Sequence, residues 1–400
     1  MTQNISDGKT NICVIGGDMR QYYLASELAD RGYSVSTFAL PKPIANDSLY
    51  SKKRPKHIYK YSESSPITSN LAAKSHQSND GYCEKQPELA NNSIDTSNHA
   101  AIYSASSTKD QSSVEFPQER GKKSDKIKNG EQPLTAHVTT GSITEHTELC
   151  SALKKCHSVI LPFPLSPDGV SLNCAVNDNE EKPSLHNIFL AVSELCGNGA
   201  KVYAGAVKER SREIAAALGI EIVDYGAMEE IALENAVPTA EGAIEVAMSH
   251  MNVTVRGSRF TVIGYGRCGS ELARLLKAMG AEVIGIARSA KDRARMRNDG
   301  ITPYSFIRLI EAVNNSVLTF NTVPFNVIDC AALSAITEGS VIIELASAPG
   351  GVDRECASRY GVKVIHAPSL PGKYAPRTAA EIIARALEPL LPHRLTGIIP

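Results

Sequence analysis

A strand, a glycine turn and a helix follow one another without interruption in RFTVIGYGRCGSELARLLKAMG (259–280), and a second strand, EVIGIARS, comes directly after. No other stretch restricts the chain as much. Four or five apolar residues ending in glycine suit a buried parallel strand, and the apolar spacing of LARLLKAMG suits a helix lying on it. Gly264, Gly266 and Gly269 stand in the G-x-G-x-x-G pattern. The first allows a tight turn, the second lets backbone approach a pyrophosphate, and the third lets helix and strand pack closely. The N–H groups of the helix start then face the anion. The intervening Tyr265, Arg267 and Cys268 complete the predicted nucleotide turn.

The end of the second strand decides which dinucleotide fits. An acidic residue there bonds the ribose 2′-hydroxyl of NAD and repels a 2′-phosphate. Ala287, Arg288 and Ser289 hold that place instead. A guanidinium and a hydroxyl suit a phosphate, and Arg267 in the turn offers a further positive charge, so the cofactor expected is NADP. Beyond it, FNTVP ends another strand, which puts Asn321 and Thr322 at the carboxyl edge of the sheet, as cofactor contacts or as polar strand-end caps. LASAPGG (345–351) ends the next strand with glycines beside the same edge.

The rest of the chain repeats the alternation. NICVIGG, QYYLASELADRG and YSVSTFAL read as strand, helix and strand. After a long break come SVILPFPLS, HNIFLAVSELCGNG, AKVYAGAV, REIAAALGI and EIVDYG. Strands alternating with helices predict an α/β chain of two Rossmann-like, doubly wound parallel-sheet domains with a cleft between them. The first spans 1–238, for substrate and partner. The second, 239–370, is the nucleotide domain, and 371–400 form a loop and helix returning to the first domain. The break, about 42–147, is rich in Ser, Asn, Lys and Gln without apolar periodicity, and reads as a disordered insertion in the first domain.

Charge and cysteine content narrow the partners. Lys and Arg number 42 against 43 Asp and Glu, which argues against nucleic acid or an anionic membrane. No apolar run is long enough to span a bilayer, and MTQNISDGKT has no signal-peptide pattern, so a cytoplasmic protein is expected. The nine cysteines form no CxxC pair and are expected to be reduced thiols. Cys150, Cys156 and His157 lack a further ligand pair, so no metal is predicted.

Seven segments together resemble the family of the dipicolinate synthase A subunit: VIGGDMRQ (14–21), VILPFPLSPDG (159–169), AVPTAEGAIEVAMSH (236–250), VIGYGRCG (262–269), NTVP (321–324), ELASAPGGVD (344–353) and APSLPGKYAPRTAAEI (367–382). The insertion departs from that family's pattern. The resemblance implies NADP-dependent oxidation of a dihydrodipicolinate to pyridine-2,6-dicarboxylate, in the cytoplasm of the mother cell of a sporulating bacterium. It also implies a partner, the flavoprotein-like B subunit of dipicolinate synthase; a homo-oligomer stays open. The substrate is a small dicarboxylate, so cationic groups should face it.

Candidates for that role follow from position. Arg20 and Gln21 follow the first glycine turn, Arg20 as a carboxylate clamp or as a partner of Asp18. Thr239 and Glu241 stand near a helix start, at the substrate or as a capping box. Lys373 and Arg377 lie in LPGKYAPRT, read as a loop entering the cleft. His250 and His366 are the histidines considered as bases, and neither is assigned, so the catalytic residue stays unknown. Two other functions compete. One is an NADP-binding regulatory protein without chemistry of its own. The other is a two-domain 2-hydroxy-acid dehydrogenase, which would pair an Arg with a His–Glu couple.

Overall fold

The computed structural model describes residues 10–42, 141–174, 181–196, 199–314 and 316–392. These residues fall within one compact unit. Most of the insertion read at about 42–147 lies outside them.

Two six-stranded sheets carry the chain, and every strand pairing in them is parallel. The first holds β1 (Asn11–Ile15), β2 (Ser34–Phe38), β3 (Ser142–His146), β4 (Ser158–Ile160), β5 (Lys201–Ala204) and β6 (Ile222–Asp224), in the order β3-β2-β1-β4-β5-β6. The second holds β7 (Arg259–Ile263), β8 (Glu282–Ile286), β9 (Thr302–Tyr304), β10 (Leu318–Asn321), β11 (Val341–Glu344) and β12 (Lys363–His366), in the order β12-β11-β10-β7-β8-β9. Counted within each sheet, both follow 3-2-1-4-5-6. The winding therefore reverses between first and fourth strands, and a crevice opens at their carboxyl ends.

The helices, in chain order, are α1 (Met19–Asp30), α2 (Leu149–Leu153), α3 (Leu185–Leu195), α4 (Glu209–Ala217), α5 (Glu229–Glu234), α6 (Ala236–Met248), α7 (Arg267–Ala278), α8 (Ala290–Asn298), α9 (Leu309–Val313), α10 (Cys330–Ser334), α11 (Arg354–Arg359), α12 (Leu370–Tyr374) and α13 (Pro376–Leu387). They cover both faces of both sheets, which is why Ile12, Cys13, Val14 and Ile15 of β1 are all buried in succession. α6 adds Ala240, Ala243, Ile244 and Ala247 to the core of the second sheet. α13 crosses back: Ala380, Ile383 and Leu387 pack with Ile12, Leu24 and Leu28 on the first.

Four readings of the sequence need correction. Residues 142–146, placed inside the insertion, form β3, pairing with β2 from Ser34–Ser142 to Phe38–His146. Four of its five residues are exposed because it is an edge strand, so it carries no apolar pattern. β9, also an edge strand, holds Pro303, a residue tolerated only where a strand has a free side. α6 begins at Ala236, ahead of Pro238, whose missing N–H falls in a first turn that has no use for it. The Thr239 hydroxyl donates back to the Asn235 carbonyl at 2.6 Å, and no capping box forms. LPGKYAPRT is not a loop: it holds α12 and the start of α13, with Pro376 as its first residue.

A fifth correction concerns the thiols. Cys330 and Cys356 are joined in a disulfide with Cα atoms 5.2 Å apart. They lie in α10 and α11, which follow the loops after neighbouring strands, and 26 residues of sequence separation hide the pairing. Asp353 lies close by, so the three are a potential metal-ligand group among the described residues, with both sulfurs taken by each other. Of Cys150, Cys156 and His157, Cys156 is buried and bonds the Ala152 carbonyl, Cys150 is exposed, and His157 accepts from the Asn11 N–H.

The return of α13 to the first sheet yields a prediction. Ile383 is fully buried, so Ile383→Ala should cost about 2–5 kcal/mol in guanidinium unfolding. An unchanged midpoint would mean that α13 does not dock on α1.

Candidate dinucleotide site

The glycine turn between β7 and α7 divides its tasks among three residues. Gly264 has φ +95°, and a Cβ on it would strike the Thr322 hydroxyl. A Cβ on Gly269 would strike the Gly264 carbonyl oxygen, so the helix touches the turn backbone to backbone. Gly266 differs. It is the N-cap of α7, and none of the described residues lies within 4 Å of where its Cβ would sit. No side chain caps α7, so its first N–H groups remain available to an anion.

The crevice of the first sheet is built the other way. There the Gly17 N–H donates to the Asn173 carbonyl at 2.7 Å, and Leu172 fills the space against Gly16. α1 is capped by its own chain, through Asp18 and Gln21. Among the described residues, the helix start at the first crevice is capped and that at the second is not.

The side chains within the turn are engaged by the protein itself. Tyr265 is buried and donates from its hydroxyl to Asp299 at 2.6 Å; burial, with that carboxylate next, pushes its pKa well up. Burial likewise pushes the Cys268 thiol up, opposed by Arg267 and a hydrogen bond with Thr239. Arg267, expected as a spare positive charge, is instead paired with Glu229 of α5 at 2.6 Å. Sequence could not foresee a partner 38 residues away.

Asn321 and Thr322 lie at the carboxyl edge of β10, but their polar atoms serve the protein. The Thr322 hydroxyl donates to the Ile263 carbonyl at 2.9 Å, bracing the turn. Asn321 is wholly buried: its amide donates to Glu344 at 2.9 Å and to the Val323 carbonyl at 3.0 Å. The carboxylate of Glu344, itself buried, also accepts from the N–H groups of Ala346 (3.1 Å) and Gly351 (2.9 Å). This network ties the loops after β10 and β11 together beside the crevice. In the sequence Glu344 looks merely like a strand end; its signal is an acid closing the apolar run VIIE.

At the end of β8, the Ser289 hydroxyl accepts from the Asp292 N–H at 3.2 Å and so caps α8. Arg288 is exposed, and its guanidinium meets no partner among the described residues. Arg293, which no sequence motif marks, donates to the carbonyls of Ala287 (2.8 Å) and Arg288 (2.6 Å).

The six residues expected at the substrate are not brought into one group. Arg20 is buried, clamped on Asp18, donating to the Phe163 carbonyl and stacked 5.2 Å from that ring centroid. Its use in an Asp18 pair is thus the one formed. Gln21 is fully buried as part of the α1 cap, which removes it from any ligand-facing surface. Thr239 is engaged with Asn235, while Glu241 and Lys373 are exposed. Arg377 pairs with Glu381 at 3.5 Å. His250 bonds the Val246 carbonyl at 2.8 Å, and His366 is exposed at the end of β12.

The turn between β7 and α7 has the geometry of a dinucleotide-binding unit, and the part of the chain that carries it matches a dehydrogenase-type NAD-binding domain. The family model described as "D-isomer specific 2-hydroxyacid dehydrogenase, NAD binding domain" matches residues 232–354. Within that class the chain is similar to the A subunit of dipicolinate synthase. The family model for the N-terminal domain of that A subunit matches residues 11–72. The dipicolinate synthase A subunit of Bacillus subtilis (strain 168) is 37% identical over 190 residues, 48% of this chain and 64% of that protein; the aligned part thus spans less than two thirds of the relative. Two crystal structures of dipicolinate synthase A subunits share the fold. The Bacillus halodurans protein superposes with a TM-score of 0.65 at 20% identity, covering 96% of this chain and 98% of that one. The Bacillus subtilis protein gives 0.62 at 22%, covering 98% of each. The resemblance carried by the motifs stands.

Two variants separate the tasks of the glycines and the loop network. Gly266→Ala adds a methyl to open space at φ −78°, so its stability should stay within about 1 kcal/mol of wild type while dinucleotide affinity falls about tenfold or more. Full affinity in that variant would remove the dinucleotide from this turn. Glu344→Ala strands three buried donors and should lower stability by about 3 kcal/mol or more, read by denaturant unfolding.

Proposed function

We propose that the protein is the NADP-dependent oxidoreductase component of a dipicolinate synthase. It oxidises a dihydrodipicolinate to pyridine-2,6-dicarboxylate in the cytoplasm of the mother cell during sporulation, alongside a flavoprotein-like B subunit. The observation that carries the cofactor is the end of β8. An exposed Arg288, without a partner among the described residues, stands where NAD-selective domains place an acid, and the adjoining turn is open at Gly266. The substrate and the partner rest on the similarity to the dipicolinate synthase A subunit.

The chemistry asks little of the protein beyond placement. A dihydropyridine ring loses one hydride and one proton and becomes aromatic. When bound, a nicotinamide dinucleotide would supply the hydride acceptor. The chain must align the two rings, exclude water and receive the proton within hydrogen-bond reach. The open helix start of α7 would hold the diphosphate, and Arg288 would hold the 2′-phosphate. The first domain, 1–238, presents the substrate. Lys373, exposed on α12, and Arg377, at the start of α13 and paired with Glu381 at 3.5 Å, are the cations we assign to the two carboxylates, since Arg20 is buried against Asp18. A 2-hydroxy-acid dehydrogenase is less well supported: among the described residues, no histidine pairs with a carboxylate.

The chain has no tryptophan, so NADPH fluorescence reports binding without that background. Wild type should bind NADPH at least about tenfold more tightly than NADH, and Arg288→Asp should erase the difference. Dihydrodipicolinate added to the NADP complex, with the B subunit present, should raise absorbance at the NADPH band. Tight NADPH binding without turnover in the complete complex would favour the regulatory reading.

A further inference from the structure

The end of β8 holds a second guanidinium besides Arg288. Arg293 lies in α8 and reaches back across the strand end, where Nη1 donates to the carbonyls of Ala287 and Arg288 at 2.8 and 2.6 Å. These carbonyls belong to the very residues that replace the ribose-binding acid. Their partial negative charge would oppose a phosphate, and Arg293 neutralises it. The contact also fixes the guanidinium in place, while its Nε and Nη2 donate to no described residue. Of the five N–H donors of an arginine, three remain.

The local charges favour an anion. Asp292 is paired with Arg295 at 3.3 Å, and Asp299 is taken by the Tyr265 hydroxyl and by Arg274 at 3.6 Å. Arg288, on the β8–α8 connection, and Lys291, in the first turn of α8, are exposed. Nearby acids are thus compensated while cations are left over. A lone exposed arginine is a mobile phosphate ligand that loses rotamer freedom on binding; one tied to two carbonyls has already lost it.

The geometry points to Arg293 as a specificity-determining residue that holds the 2′-phosphate of the dinucleotide jointly with Arg288. Arg293 is the anchored member and Arg288 the mobile one. This rests on the NADP reading above and extends it to a residue no motif marks. The competing account makes Arg293 a tie for the β8–α8 connection alone, which would serve NADPH and NADH equally.

The test uses the full chain, titrated with NADPH and with NADH, and competed with adenosine 2′-monophosphate against adenosine 5′-monophosphate. Arg293→Gln should weaken NADPH about tenfold or more and NADH less than about twofold, with the same selective loss for the 2′-monophosphate. Arg293→Lys keeps a point charge but not the fork, and should lie between. Equal losses for NADPH and NADH, or no loss for either, would overturn the assignment. If wild type prefers NADPH, Arg288→Gln removes the preference and Arg293→Gln leaves it intact, the inference falls and the NADP reading survives. If wild type shows no preference, both fall. Should Arg293→Gln not fold, the NADPH-to-NADH affinity ratio of Arg293→Lys decides, an unchanged ratio counting against the proposal.

Discussion

The contact between Gly269 and the Gly264 carbonyl oxygen is the constraint on which the site depends. With no side chain between them, α7 starts flush against the end of β7, and its uncapped N–H groups meet the crevice where the sheet winding reverses. Any Cβ at 269 would push the helix off the strand. That displacement would carry the anion site with it and disturb Thr322, whose hydroxyl lies against Gly264. A backbone-to-backbone contact is thus translated into a fixed position for the uncapped start of α7.

The two sheets share one topology and part at this point. In the first, the stretch from Leu161 to Cys174 folds over the turn, Gly17 bonds Asn173, and Asp18 with Gln21 satisfies the helix start. In the second, nothing in the described chain covers Gly266. The buried Asn321–Glu344 pair works on the same side: by holding Gly351 and Ala346, it keeps the loops after β10 and β11 beside the opening. A buried carboxylate with three donors is costly to assemble and hard to displace, so these loops are held in one arrangement.

The parts visible in the sequence were those where one local pattern decides the outcome. Buried strands with continuous apolar runs, the glycine turn and the helix following it were legible for that reason. β3 and β9 were not, because an edge strand is half solvated and carries polar residues or proline without penalty. Side-chain partners were legible only when near in the chain, as for Asp18 and Arg20. Arg267 with Glu229, and Cys330 with Cys356, meet through the fold alone. Arg293 is hidden for a different reason: AKDRARMRN looks like a solvated basic helix, and only the path of the backbone brings one of its arginines onto the end of β8.

The placement of α12 bears on where substrate charge is met. Gly372 sits so close to Asp18 and Arg20 that a Cβ would collide with their side chains, and Gly242 of α6 is equally close to Tyr374 and Leu370. One short helix is therefore wedged between the first turn of one domain and the long helix of the other. The wedge covers Arg20, which is buried and paired with Asp18. It also carries Lys373 to the surface beside the same junction and sets the start of α13, with Arg377, directly after it. On the proposed reading, the two carboxylates would therefore be met by the cations that α12 and α13 carry, Lys373 and the Glu381-paired Arg377, and not by Arg20.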